Sequence, residues 1–172
     1  RKVENVGWMQ AFFLDIDCGP AKAAPDKHGR IQGYIDQPTG MQAVKDLCRI
    51  LKLPKPTIVN SGRGLHIYWP LTESVDVSKW LAQTFKARCI EANIIVDPAV
   101  PADAARVLRI PDTLNFKDDP ALAVVLEGSN PHSTPMAFED FAALMGPIVP
   151  TRPAHLPRQL DDFTKAMLGN RQ

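Results

Sequence analysis

No apolar run in this 172-residue chain approaches the roughly 18 residues that a membrane helix needs, which sets aside a membrane-spanning reading. Cysteine is scarce: Cys18, Cys48 and Cys89 are odd in number and far apart, which argues against a secreted disulfide framework. Buried thiols in a reducing cytoplasm are expected instead. Neither sign of charge prevails, since 20 Lys and Arg against 19 Asp and Glu leave +1. Charge alone therefore announces no nucleic-acid partner, although clustered acids could mask a basic groove. Internal repeats, low-complexity tracts, a signal-peptide apolar region and an initiator Met are all missing, so a fragment of a longer polypeptide is expected. What is present is ordinary globular usage, 45% hydrophobic and 23% charged, in a length suited to one domain plus a small appendage. Proline is abundant, at sixteen, and crowds between Pro131 and Pro157. A boundary follows, with a core domain over 1–147 and, over 148–172, a proline-rich linker ending in a short helix, Asp161 to Leu168.

Met9 to Asp17 (MQAFFLDID) is rich in aromatic and branched residues and stops at Gly19-Pro20, as a strand in the middle of a sheet would. Gly19 to Pro38 lacks periodicity and is expected to be a long loop. Met41, Val44, Leu47, Cys48 and Leu51 follow the 3.6-residue period of a helix, with Thr39 as its cap and Pro54 beyond its end. Thr57–Asn60 and Leu65–Trp69 read as strands joined by Ser61-Gly62-Arg63-Gly64, and Trp80, Leu81, Phe85, Cys89 and Ile90 mark a second helix over 77–92 capped by Ser78 or Asp76. Ile94–Val96 is a brief apolar run before Asp97-Pro98 and is expected as a further strand. Ala121–Leu126 is a candidate strand, and Met136–Met145 an amphipathic helix.

This strand–helix–strand–strand–helix–strand order is the α+β pattern of ferredoxin-like and RNA-recognition-motif folds, here with extra helix and strand elements and a C-terminal helical tail. Right-handed crossovers predict the order fourth, first, third, second across the sheet. The end of the first strand then lies beside the beginnings of the third and fourth.

Asp15 and Asp17, two apart on a strand, point to one face, while Phe12, Leu14 and Ile16 point to the other. The acids' Cα atoms are then about 6.5–7 Å apart, a spacing suited to sharing a hard divalent cation such as Mg²⁺ or Mn²⁺. The bland alternative is that Asp17 merely opens a turn. His66 and Tyr68 share the face of the next strand, and His66 stands near its start, close to the acid pair. The loop before it presents Ser61, Arg63 and Gly64, suited to phosphate oxygens, or is an ordinary hairpin turn. Asp97 brings a third acid from the other flank. Three acids and a histidine thus converge from separate segments, a set able to hold two metal ions for in-line phosphoryl transfer. Beyond them Ala105–Lys117 (ARVLRIPDTLNFK) carries Arg106, Arg109, Asn115 and Lys117, ligands for a triphosphate or a nucleic-acid backbone unless this is a solvated basic loop.

In FFLDID, SGRGLHIYW, VD and RVLRIPDTLNFK, taken in that order, the chain resembles the catalytic domain of the archaeo-eukaryotic primase superfamily, in its plasmid and phage primase-polymerase branch. These motifs match the family's strand-borne Asp-x-Asp, its histidine motif, its apolar-acid pair and its Arg-x-Pro-Gly-Thr-x-Asn-x-Lys stretch. Gly64 stands where many relatives have serine, and Asp112 where they have glycine. The resemblance implies a primase palm in which Asp15, Asp17 and Asp97 bind two Mg²⁺ or Mn²⁺ ions and His66 contacts the triphosphate. Arg63, Arg109 and Lys117 are then the nearest phosphate contacts. It also implies that the enzyme starts or extends strands on single-stranded DNA from deoxy- or ribonucleoside triphosphates, in phage or plasmid replication, with a helicase domain C-terminal to it.

No close Cys/His pair has zinc-ligand spacing, so no zinc is expected. A rolling-circle endonuclease, with Tyr68 as nucleophile, would need a histidine pair that LHIYW lacks. A non-catalytic single-strand-binding module would place aromatics where Asp15 and Asp17 stand.

Overall fold

The computed structural model describes residues 5–77, 81–96, 104–128 and 132–147. Strand β1, Trp8–Asp17, leads through a single helical turn, α1 (Pro20–Ala23), and an irregular stretch into helix α2, Gln37–Leu51. Strands β2 (Thr57–Asn60) and β3 (Gly64–Asp76) follow, then helix α3 (Ala82–Glu91), strands β4 (Thr113–Asn115) and β5 (Leu122–Leu126), and helix α4 (Phe138–Met145). The sheet is antiparallel in every pairing and ordered β1-β3-β2-β5-β4.

Alternation along the strands decides which face meets the helices. Phe12, Leu14 and Ile16 of β1 and Leu65, Ile67 and Trp69 of β3 are all buried. They pack with Val44 and Leu47 of α2, Phe85 and Cys89 of α3, and Phe141 and Met145 of α4. The Phe12 ring stacks on Phe141 at 3.7 Å between centroids and meets Phe85 edge-on at 6.0 Å. Full burial of such a side chain contributes roughly 1.5–3 kcal/mol. Helix α2 opens with Pro38 in its first turn, and its N-cap is Asp36, whose side chain accepts the Thr39 N–H at 2.8 Å. Thr39, the expected cap, is thus inside the helix. Lys52, left-handed at φ 57°, closes it.

Several expectations change. Ile94–Val96 forms no strand: Asn93 is left-handed, the Ile94 N–H donates to Cys89, and the Ile95 N–H donates to the Tyr34 hydroxyl. The backbone donors that would begin a ladder beside β1 are spent elsewhere. Among the described residues β1 is therefore an edge strand, and the predicted four-strand order reduces to the neighbours β1-β3-β2, extended on the β2 side by β5 and β4. The third strand does not stop at Trp69 but runs through Pro70 to Asp76, with an irregularity opposite Met9–Ala11. There the Pro70 carbonyl accepts Met136 N–H and Thr72 N–H donates to Met136, so the segment before α4 takes up the bonding that β1 cannot. Asp76 ends β3 opposite Trp8 rather than capping α3, which begins after Leu81; Ser78 and Trp80 lie outside the described residues. So do Asp97 and the segment 148–172. No helix among the described residues is long and apolar enough to cross a membrane.

Candidate active site

The antiparallel register sets Asp15 directly across from His66 and Asp17 across from Gly64. A side chain at 64 would be excluded, because a Cβ there would lie 2.2 Å from the Ile16 carbonyl oxygen. Glycine at 64 thus belongs to the close approach of β1 and β3. The two acids leave the strand face together, and each carries a cation. Asp15 Oδ2 accepts from Arg106 Nη2 at 3.2 Å, its Oδ1 lies 3.9 Å from His66 Nε2, and Asp17 Oδ2 meets Lys22 Nζ at 2.8 Å.

His66 is buried, with 2% of its surface exposed. The 104–109 segment comes over it through the Arg106–Asp15 pair, and Arg109 lies close enough to act on the ring electrostatically. Burial pushes the imidazole pKa below its ordinary 6.5, against the upward pull of Asp15 and with help from Arg109 and Arg106. The ring is neutral at pH 7, and its Nδ1 is buried without a partner. On the same face Tyr68 is pushed up to about 12 by burial and by Asp15, which makes it a poor phenolate nucleophile.

The connection from β2 to β3 forms the second wall. Gly62, at φ +86°, takes a conformation that favours glycine, and a Cβ on it would lie 2.6 Å from Leu122 Cβ. The Ser61 N–H and hydroxyl both donate to the Gly64 carbonyl, and Gln37 Nε2 donates to the Gly62 carbonyl at 2.9 Å. Asn115, buried on β4, donates from Nδ2 to the Ser61 carbonyl at 2.7 Å and accepts the Lys117 N–H with Oδ1. Its amide holds the loop in place. Arg63 grips Asp118 through Nε at 2.7 Å and through Nη2, and donates to the Lys117 carbonyl at 3.1 Å. Asp112 is left-handed at φ 64°, and its N–H donates to the Val124 carbonyl.

One cleft of about 890 Å³ collects Asp15, Asp17, Ser61, Arg63, His66, Arg109, Asn115 and Lys117. Gly64 packs beneath it and is not part of its lining. The cleft also admits Lys22, Gln37 and Asp118, which the sequence pattern did not single out, and Arg106. The signal for Lys22 was hidden in a stretch without periodicity, and the Arg63–Asp118 pair spans 55 residues.

The donor chemistry fits a hard divalent cation: two carboxylates share one strand face, and each already draws a positive group to its oxygens. Among the described residues no group of three or more His, Cys, Asp or Glu is assembled to hold a metal. The expected third acid, Asp97, lies outside them.

No protein-family model and no curated protein matches the chain. Among solved structures it is similar to the AEP domain of the cyanophage S-2L primase-polymerase, with a TM-score of 0.51 and 16% sequence identity over 78% of this chain and 60% of that one. At that identity the likeness speaks for the fold alone.

Proposed function

We propose that the chain is a template-dependent nucleotidyltransferase, a DNA primase-polymerase that synthesises or extends primers on single-stranded DNA. The observation that carries this reading is the pairing of Asp15 with His66 across two strands, with Asp17 on the same face, inside a cleft rimmed by Arg63, Arg109 and Lys117. The fold likeness to a phage primase-polymerase domain supports it. Asp15 and Asp17, with Asp97, are the residues to hold Mg²⁺ or Mn²⁺. Divalent ions bound there would lower the charge repulsion between an attacking 3′-hydroxyl and the triphosphate.

The chain's own residues do the rest. His66, neutral and buried, offers a ring N–H to a phosphate oxygen without adding charge beside Asp15. Arg109 and Lys117 line the cleft and neutralise the triphosphate, and Arg63, held by Asp118, orients it. Ser61, locked by Gly64 and Asn115, shapes the floor of the loop. Two rival readings lose support on the same face. Tyr68 is half-buried with its pKa pushed up, which disfavours an endonuclease nucleophile, and Phe13 is buried, which removes a base-stacking platform. Single-stranded DNA and nucleoside triphosphates are the proposed partners, and a helicase domain beyond 172 remains part of the proposal.

The test is primer synthesis and primer extension on single-stranded templates with Mg²⁺ or Mn²⁺ and each nucleotide class. Asp17→Ala is expected to abolish incorporation while keeping the fold. His66→Ala is expected to raise the nucleotide concentration needed while sparing DNA affinity. Near wild-type extension by Asp17→Ala would overturn the proposal.

A further inference from the structure

The cleft lining carries three acids, Asp15, Asp17 and Asp118, and five cationic side chains, Lys22, Arg63, Arg106, Arg109 and Lys117. Lys22, Arg106 and Arg63 sit on Asp17, Asp15 and Asp118 respectively. Lys22 is not a loose surface lysine. Its carbonyl accepts the N–H groups of both Gln32 and Gly33, and Tyr34 N–H returns to the Asp17 carbonyl, so the stretch after β1 folds back on the strand end. Gly33 permits that return: a Cβ there would lie 2.3 Å from the Asp17 carbonyl oxygen. The fold-back brings an ammonium to 2.8 Å from the carboxylate that, on the reading above, receives a divalent cation.

An ammonium 2.8 Å from Asp17 Oδ2 repels a divalent cation on the same carboxylate and competes with it for that oxygen. Resting on that reading, we infer that Lys22 is an exchange residue: it neutralises Asp17 until a divalent cation takes the carboxylate, then turns to the triphosphate of the incoming nucleotide in the same cleft. Its flexible four-carbon stem suits the exchange better than a planar guanidinium would. The consequence is linkage. Lys22 competes with the free metal and assists the nucleotide that arrives with it, so the protein holds metal weakly alone and firmly with substrate.

The experiment measures Mn²⁺ binding by the loss of its free-ion electron paramagnetic resonance signal, with and without dGTP, and dGTP affinity in Mn²⁺. Wild type, Lys22→Met, Lys22→Arg and Asp17→Asn are compared. Lys22→Met is expected to bind Mn²⁺ alone about two- to fivefold more tightly, the span of an exposed ion pair. The same variant is expected to bind dGTP in Mn²⁺ roughly tenfold more weakly, as loss of a hydrogen bond from a charged group would. Lys22→Arg should stay near wild type for Mn²⁺ alone. If Asp17→Asn weakens Mn²⁺ binding while Lys22→Met leaves both affinities unchanged, Lys22 is a structural ion pair and the exchange is overturned alone. If Asp17→Asn leaves Mn²⁺ binding unchanged, the metal assignment fails and the exchange falls with it.

Discussion

The two sides of the cleft are built by different means. The acid and histidine side rests on β1 and β3, paired from Trp8 to Asp17 against Asp76 to Gly64, with Phe12, Leu14, Ile67 and Trp69 buried behind them. The cationic side comes from connections: Lys22 after β1, Arg63 between β2 and β3, Arg106 and Arg109 ahead of β4, Lys117 after it. The Arg63 connection is held chiefly by the side chains of Asn115 and Asp118, and the Lys22 stretch by a few backbone bonds that fold it back on the end of β1. A ladder fixes the backbone on which Asp15 and His66 stand opposite each other, whereas tethered loops leave room for cations to follow a moving substrate.

If the ladder is the rigid half, damage behind it should be the most costly. Phe12→Ala removes a fully buried ring stacked on Phe141 and is expected to lower unfolding free energy by about 3–5 kcal/mol in a denaturant titration. A smaller loss than that of any tether would break the contrast. On the loop side, Asn115→Ala leaves the Ser61 carbonyl without its donor and is expected to cost about 1–3 kcal/mol. Nucleotide affinity should fall with it as the Ser61–Arg63 loop loosens. The smallest effect concerns pH. Because folding depresses the His66 pKa below 6.5, the unfolded chain binds a proton that the native chain refuses between the two values. Stability is therefore full above about 6.5 and declines as pH falls toward the folded pKa. His66→Gln should flatten that acid limb, and an unchanged slope of Tm against pH would show that His66 is not the group responsible.

The contrast also explains what could be read ahead of the structure. β1, α2, β2 and the start of β3 carry their periods openly, and the placement of Asp15 beside His66 follows from alternation and topology. The strand expected over Leu65–Trp69 runs on through Pro70, whose carbonyl accepts Met136 N–H. Pro38 in the first helical turn was the overlooked sign that Asp36, two residues earlier, caps α2. Ile94 is buried as an apolar strand residue would be, yet burial without ladder partners makes no strand. β4, three residues long, is below what alternation can reveal, although its Asn115 anchors the loop wall. Contacts such as Lys22 on Asp17 depend on a fold-back set by Gly33 and Tyr34, which no local pattern announces.

The most direct test of the ladder-borne chemistry is single-nucleotide incorporation by Asp15→Asn on a primed template with Mn²⁺, beside its thermal unfolding. Asparagine keeps the size of the side chain and its place opposite His66 but removes the charge. The expected result is a native-like Tm with incorporation lowered by about a hundredfold or more, the scale of losing a key electrostatic contact in a transition state. Incorporation within a few-fold of wild type, in a variant that folds, would contradict the account.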